Sequence, residues 1–319
     1  MIMACMKPSL AAMSNLQGAV RLADWGVIRA AGNDAASFLH GQLTQEIVRL
    51  DAGHARLAGY CSAKGRLLAS FVVWRRGPAE ILLACSADLL PAVLKRLKMF
   101  VLRAQCQLED ASAEWPLTGL AGEAALAALG EAAPATPWQR SVVADGAELL
   151  RLPDAAGLPR LLWAGAGAPA LPPLAPEAWA WLEVQSALPR IVAATAEQFV
   201  PQMVNLEVVG GVNFQKGCYP GQEIVARSQY RGTLKRRAFL FDSDAPAAPG
   251  QELFAADDPG QPAGLVVAAA PAPDGSGWAV FAETKIASLA DGVALHLGAA
   301  DGPRLTPAAL PYAFPAAEA

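Results

Sequence analysis

Short apolar runs alternate with segments of helical period along the chain, and this pattern predicts an α+β protein. Between residues 55 and 110, turn signals at Lys64–Gly65 and Arg76–Gly77–Pro78 separate such runs. The pattern there predicts three strands, a helix and a further strand, at 57–61, 67–74, 81–85, 88–100 and 106–108. That order favours a sheet with helices on one face.

The two flanking regions have different patterns. Residues 19–28 predict one short strand, and Phe38, Leu39, Leu43 and Ile47 predict a helix that Asn33 or Asp34 caps. The Pro-rich region after residue 112 predicts helices and strands that are short, at 121–129, 141–143, 148–152, 160–164 and 177–187. After residue 237, evenly spaced short strands predict a small barrel or Greek-key domain, at 238–241, 252–255, 264–269, 278–281 and 293–297. The tail from Pro311 is expected to fray.

Length and charge limit the possible classes of protein. A chain of 319 residues fits two or three domains. Its net charge of −4 argues against a general nucleic-acid binder but leaves room for one basic face. No apolar run reaches the roughly 18–20 residues of a membrane helix, and the N-terminus lacks the pattern of a secretory signal. We therefore expect a cytoplasmic protein without a membrane partner.

The five cysteines predict neither a disulfide framework nor a metal site. They are widely spaced, no Cys-x-x-Cys pair occurs, and they lie at Cys5, Cys61, Cys85, Cys106 and Cys218. The three histidines are scattered, so no metal ligand set is predicted.

Cys218 alone lies in a segment that suggests chemistry. Gly217, Pro220 and Gly221 surround it and predict a tight loop that presents the thiol and the Tyr219 ring outward. Lys216 would favour the thiolate, and Glu223 would begin a helix over 222–227. The alternative is a small buried hydrophobic residue, which is the usual role of a free cysteine.

A run of five cations follows this loop within eleven residues, without an acidic residue among them: Arg227, Arg231, Lys235, Arg236 and Arg237. Guanidinium groups at this density predict a binding site for carboxylates or phosphates. Tyr230 could stack on a planar ligand or on a base. The alternative is an ordinary solvated face.

The octapeptide 216–223, KGCYPGQE, resembles the signature of the YgfZ family of folate-binding proteins. Four further blocks resemble that family in the same order: FLHGQLT at 38–44, YCSAKGR at 60–66, FVPQ at 199–202 and GGVNF at 210–214. The resemblance extends over roughly residues 16–300.

The resemblance implies an α+β, three-domain ring like that of the aminomethyltransferases, with ferredoxin-like domains and a small C-terminal β-barrel. The implied domains are a discontinuous folate-binding domain of residues 15–50 plus 112–236, a second α+β domain of 51–111, and the barrel of 237–319. Tetrahydrofolate or a derivative would bind in the central hole, with its pterin inside and its glutamate tail near the rim. The implied folate-binding residues are Gln185, Arg227, Tyr230 and Arg231; many family members have Glu where Gln185 stands.

The resemblance also implies a role in assembling or repairing iron–sulfur clusters and in the activity of cluster enzymes that modify tRNA. The implied partners are folate and iron–sulfur proteins or their assembly machinery, with an indirect link to tRNA. Cys218 would be a functional thiol, in a signature loop shaped by Lys216, Gly217, Tyr219, Gly221, Gln222 and Glu223.

Two alternatives remain at this point. A folate-dependent aminomethyl or one-carbon transferase is disfavoured because the acidic residues that such enzymes carry after the glycine of the second block are missing from Lys64–Leu68, KGRLL. An RNA-linked binding module would use the cations of 227–237, and the net charge disfavours it.

Overall fold

Three β-sheets, two of them open and one closed into a barrel, form the frame of the chain. A computed structural model describes residues 15–143, 146–230 and 234–315. The strands are β1 (Gly18–Arg21), β2 (Trp25–Ala31), β3 (Ala55–Cys61), β4 (Leu67–Gly77), β5 (Glu80–Ser86), β6 (Gln107–Asp110), β7 (Leu117–Ala121), β8 (Arg140–Val142), β9 (Glu148–Ala155), β10 (Leu158–Ala164), β11 (Arg236–Ser243), β12 (Glu252–Ala255), β13 (Asp258–Pro271), β14 (Trp278–Lys285), β15 (Leu295–Leu297) and β16 (Arg304–Ala308). The α-helices are α1 (Ala35–His40), α2 (Leu90–Phe100), α3 (Glu123–Leu129), α4 (Pro176–Gln185), α5 (Gln222–Tyr230) and α6 (Ile286–Ala290).

The first open sheet has the order β1-β7-β10-β9-β8 and all its pairings are antiparallel. Helix α4 covers it. This helix begins at Pro176 and carries Glu177 in its first turn, where a fixed φ and a negative charge both suit a helix N-terminus. The indole of Trp179 lies directly on Gly119 of β7. Helix α4 also contacts β13 and β14 and so joins this sheet to the barrel.

The second open sheet has the order β3-β4-β5-β2-β6. Helix α2 packs on it through Leu90, Val93 and Leu97, whose spacing of three and four residues gives one apolar face. The sequence predicted a single strand over 19–28, whereas two strands form and the second, β2, pairs with β5 and β6. Residues 25–31 therefore lie in the sheet assigned to 51–111 rather than with the rest of 15–50. The apolar pattern of residues 25–31 is the same whichever sheet the strand joins, so the pattern alone does not show which sheet that is.

The third sheet is a closed barrel in the order β11-β14-β13-β12-β15-β16, which confirms the predicted C-terminal barrel. The sequence did not predict β16, because its two charged or polar positions and Pro307 hide the strand pattern. This strand pairs with β11 on one side and β15 on the other, and so it closes the barrel.

Two further expectations were wrong in detail. The predicted helix through Ile47 ends at His40. Leu43 and Ile47 lie beyond the helix and are nevertheless buried. The tail after Pro311 was expected to fray, but the Tyr312 hydroxyl donates to the carbonyl oxygen of Ala187 at 2.9 Å and accepts from Asn205 Nδ2 at 3.1 Å. Residues 316–319 lie outside the described part of the chain.

None of the helices in the described residues is both long enough and apolar enough to cross a membrane.

The contact between Gly119 and Trp179 can be tested by adding one methyl group. A Cβ atom at position 119 would stand 2.6 Å from the Trp179 ring, so Gly119→Ala should lower the free energy of unfolding by about 1–3 kcal/mol through overpacking. Chemical denaturation measures this. The matched control is Gly77→Ala, where a Cβ meets no atom within 4 Å. Equal stability of the two variants would contradict the packing described here.

Candidate functional site

The FLHGQLT and GGVNF blocks and the residue just before the YCSAKGR block, Gly59, meet at Thr44. Its hydroxyl donates to the carbonyl oxygen of Gly211 at 2.6 Å and accepts from the Gly59 amide at 2.8 Å. The Asn213 amide donates to the Thr44 carbonyl oxygen at 2.9 Å, and Gln45 Nε2 donates to the carbonyl oxygen of Gly210 at 2.5 Å. The segment after α1, strand β3 and the Gly210–Gly211 turn are therefore joined by hydrogen bonds that are buried or partly buried.

Lys216 fixes the start of the signature loop. Its buried ammonium donates to the carbonyl oxygens of His40 and Leu43, the latter at 2.7 Å, and lies 4.8 Å from the centroid of the Tyr219 ring. Burial lowers the pKa of Lys216 to about 8, and the negative charges of Glu46 and Cys218 oppose that shift. The sequence assigned Lys216 to the signature loop and to the thiol. The structure shows that its ammonium holds the loop against the segment at and after the end of α1.

Gly221 fixes the end of the loop. It has φ of +78°, and a Cβ atom there would lie 2.4 Å from the carbonyl oxygen of Ser62 and 2.6 Å from the Cα atom of Gly65. Gly65 has φ of +70°, and a Cβ atom there would lie 2.9 Å from the Cβ atom of Ile224 in α5. Two glycines are needed because the turn at 62–65 and the signature loop pack backbone against backbone. The loop is thus held at both ends.

The Cys218 thiol is exposed, as the sequence predicted, whereas Cys61, Cys85 and Cys106 are buried. Burial raises the pKa of Cys61 and Cys85 to about 12 and that of Cys106 to about 11. The prediction that Tyr219 also points outward was wrong. Its side chain is buried beside the ammonium of Lys216, and burial raises the pKa of its hydroxyl. A rigid loop therefore presents sulfur without an adjoining exposed ring.

A histidine that sequence analysis did not select lies beneath this loop. His40 Nδ1 is 3.0 Å from Glu46 Oε1, and its Nε2 atom lies 3.5 Å from the position that a Cβ of Gly217 would occupy. The only sequence signal for His40 is its position in the FLHGQLT block. Of the other loop residues, Gln222 is partly buried and Glu223 is exposed at the first turn of α5.

The predicted anion site over 227–237 does not form as expected. Arg236 pairs with Glu283, and Arg237 Nη2 pairs with Glu207 Oε1 at 2.7 Å, so both guanidinium groups serve internal ion pairs. The acidic partners, Glu283 and Glu207, lie in distant parts of the sequence, so the run of cations alone did not indicate these ion pairs. Arg227 is exposed, and Tyr230 is 71% exposed with an edge-to-face contact to Phe214. Arg231 lies outside the described residues.

A cavity of about 1010 Å³ opens between the two open sheets and the segment that leads into the loop. Residues 208–210 and Asn213 line it, so Cys218 follows only five residues after its wall. The remaining wall combines aromatic rings, carboxylates and cations, contributed by Asp51, His54, Arg56, Trp138, Asp154 and Tyr312 among others. This volume is at the upper end of the roughly 300–1,000 Å³ that is usual for small-molecule sites.

The expected position of Gln185 in this cavity was wrong. Gln185 lines a separate small pocket with Trp181, Asp242 and Trp278, on the side of α4 that faces the barrel. It was placed by sequence correspondence alone, which does not fix the direction of a side chain at the last residue of a helix. The neighbouring Ser186 and Leu188 line the central cavity instead.

Trp138 separates the cavity from a small inner pocket of about 40 Å³ that shares Leu57, Ser186 and Leu188 with it. Its φ of +69° is unusual for a bulky residue, and strain of this kind is often found at ligand sites. Glu183 and Arg160 line the inner pocket. Burial raises the pKa of the Glu183 carboxyl, while Arg190 Nη2 lies 3.3 Å from its Oε2 atom. Sequence analysis missed Trp138, Arg160, Glu183 and Arg190.

The donors and acceptors of the cavity fit a folate. Trp138 and Tyr312 offer aromatic surface to a flat ring, and the Asp154 carboxylate can accept from the amino and ring N–H groups of a pterin. Arg56 and His54 can face the carboxylates of a glutamate tail. Asp154 is also bonded to Arg151 Nη2 at 2.6 Å, which holds its side chain in one orientation.

Within residues 15–143, 146–230 and 234–315, no three His, Cys, Asp or Glu side chains lie together in an arrangement that could hold a metal ion.

Comparison with known proteins defines the class of fold first. No family model matches the chain. Its structure is similar to the glycine cleavage system aminomethyltransferase T from Bartonella henselae, with a TM-score of 0.74 over 95% of this chain and 88% of that one. The sequence identity is 17%, so this likeness shows the fold alone. The chain therefore has an aminomethyltransferase-like fold, as the sequence implied.

Sequence comparison identifies the family within that class. The chain is 34% identical over 256 residues to the tRNA-modifying protein YgfZ of Edwardsiella ictaluri, which covers 76% of each chain. It is 32% identical over 310 residues to the protein of that name from Sodalis glossinidius, which covers 92% of this chain and 93% of the relative. The chain belongs to the YgfZ family.

The different burial of the cysteines predicts selective alkylation. In the native protein at pH 7, N-ethylmaleimide should modify Cys218 roughly tenfold or more faster than Cys61, Cys85 and Cys106, because only Cys218 among them is exposed and the others have raised pKa values. Peptide mass spectrometry after timed quenching measures each rate. Labelling in denaturant is the control and should make the four rates similar. Slow native labelling of Cys218 would contradict the loop geometry.

Proposed function

We propose that this protein binds a reduced folate in its central cavity and supports the modification of tRNA by iron–sulfur enzymes, with Cys218 as the functional thiol. Family membership carries this proposal, because the relatives that share about a third of its residues are named as tRNA-modifying proteins. The arrangement of the site supports it. The blocks that mark the family pack together around one loop, and the segment that leads into this loop lines the large cavity.

The cavity supports the folate part of the proposal. Its aromatic rings, carboxylates and cations suit the two ends of a molecule that is flat at one end and acidic at the other. The reduced folate would supply one-carbon or redox chemistry when bound. The residues of this chain would bind and orient it, with Asp154 and Trp138 at the pterin and Arg56 and His54 at the tail.

The loop supports the thiol part of the proposal. Lys216 and Gly221 hold the loop at its two ends, so the backbone that carries the exposed sulfur is held in place. A thiol presented in this way is accessible to another protein, which suits exchange with an iron–sulfur client. A thiolate at Cys218 would raise the pKa of Lys216, so the ammonium and a thiolate would attract each other.

Aminomethyl transfer is the weaker alternative. The second block has Arg66, Leu67 and Leu68 after its glycine, where a transferase would carry acidic residues. The Arg66 guanidinium donates to the Gln198 carbonyl oxygen and Leu67 is buried. This part of the chain therefore has no carboxylate to stabilise a developing positive charge.

Calorimetric titration with tetrahydrofolate tests the binding site. Asp154→Asn should weaken binding about tenfold, because an amide accepts the pterin N–H groups less strongly and presents one oxygen in place of two. The matched control is Gln185→Ala, which removes a side chain outside the central cavity and should leave the affinity unchanged.

Two results would overturn this placement. Absence of binding to the unaltered protein would end the folate proposal. The other result is weaker binding by Gln185→Ala together with unchanged binding by an equally stable Asp154→Asn. It would indicate that the ligand binds on the barrel side of α4.

A cell that lacks its own copy of the protein tests the thiol. Cys218→Ala should fail to restore the level of tRNA nucleosides made by iron–sulfur enzymes, measured by mass spectrometry of digested tRNA. Cys106→Ala, at a buried cysteine just before β6, is the control and should restore it. Circular dichroism confirms that both variants fold. Full restoration by Cys218→Ala would remove the thiol from the mechanism.

A further inference from the structure

The C-terminal half of α2 and the turn after it form an exposed surface, residues 95–103, that the proposed function does not use. Val93 and Leu97 are buried against the second sheet, so the opposite side of the helix faces outward. That side carries large apolar residues that are unusually exposed. Leu102 is 85% exposed, Met99 66% and Phe100 44%. Exposed apolar residues grouped in this way mark interaction surfaces.

This 95–103 surface is also strongly basic. It contains Lys95, Arg96, Lys98 and Arg103, and no Asp or Glu occurs from Leu89 to Leu108, although the whole chain has a net charge of −4. Within the part of the chain that the structure describes, none of these four cations has a carboxylate oxygen within 4.0 Å. Arg236 and Arg237, by contrast, are neutralised internally. Among the described residues of the 227–237 run, Arg227 and Lys235 also have no carboxylate oxygen within 4.0 Å, but the 95–103 surface brings four such cations together within nine residues.

The mixture of cations and an aromatic ring favours RNA over a lipid surface. The guanidinium carbon of Arg96 lies 5.8 Å from the Phe100 ring centroid, so a planar cation and a ring stand side by side. Bases stack on such groups while lysines contact phosphates. A membrane-bound helix would need a continuous free apolar face, whereas Leu90, Val93 and Leu97 of α2 are buried and the exposed Met99, Phe100 and Leu102 lie among four cations.

We propose that the 95–103 surface binds RNA, with Lys95, Lys98 and Arg103 on phosphates and Phe100 stacked on an unpaired base. The proposal adds a nucleic-acid contact to the folate cavity and the thiol. It rests on the proposed function only for the choice of tRNA as the probe, because the charge and exposure that carry it do not depend on the cavity.

The test is the affinity of the full-length protein for a labelled, unmodified tRNA transcript, measured by fluorescence anisotropy at several salt concentrations. The triple variant Lys95→Gln, Lys98→Gln, Arg103→Gln should bind at least about tenfold more weakly at low salt. Its plot of log affinity against log salt should be less steep by about 2–3, or about one for each lost phosphate contact. Phe100→Ala should weaken binding roughly fivefold without changing that slope.

A second triple variant is the matched control. Arg21→Gln, Arg49→Gln, Arg304→Gln changes the net charge equally at exposed positions on other elements and should retain nearly full affinity. Equal weakening by both triples would show nonspecific attraction and overturn the proposal. No measurable binding by the unaltered protein would overturn it as well.

Tetrahydrofolate titration of the α2 triple variant separates this proposal from the function proposed above. Unchanged folate affinity together with weakened tRNA binding is the expected result. Unchanged tRNA binding together with lost tRNA modification in cells would assign the 95–103 surface to an acidic protein partner, and would contradict RNA binding there.

Discussion

The buried ammonium of Lys216 is the interaction on which the arrangement of the site depends. Placing a cation in the interior is costly unless several acceptors surround it, and two carbonyl groups at the end of α1 together with the Tyr219 ring fulfil that need. The same bonds determine where the chain must turn before Cys218. Lys216 thereby holds the start of a loop whose end is fixed by Gly221, and the exposed Cys218 thiol lies between the buried side chains of Lys216 and Tyr219.

Much of the fold could be predicted because it is encoded locally. Five of the six barrel strands, the strands of 55–86 and helix α2 follow the apolar pattern, and prolines mark the start of α4. Each was predicted, with ends that differ by up to six residues. Partnership between strands is not local. Strand β2 was joined to the wrong sheet and β16 was overlooked, since pairing depends on residues more than fifty positions away and Pro307 masks the strand pattern.

The candidate site could be predicted where a residue type determines the backbone conformation. It could not be predicted where the arrangement depends on which side chains pair with each other. Glycines at 217 and 221 correctly indicated a loop that exposes sulfur. Whether a cation is free or paired was hidden, because Glu283 and Glu207 come from other segments. Trp138 and Glu183 could not be selected, since a lone tryptophan or glutamate in an Ala-rich region carries no pattern that indicates a cavity.

Tyr312 has a consequence for how the protein is made. It follows the last barrel strand, yet it forms part of the cavity wall and bonds to Ala187 and Asn205. A nascent chain still held on the ribosome has the signature loop long before it has this wall. The ligand-binding chamber is therefore completed only after residue 312 has left the exit tunnel, so newly made protein acquires its full pocket last.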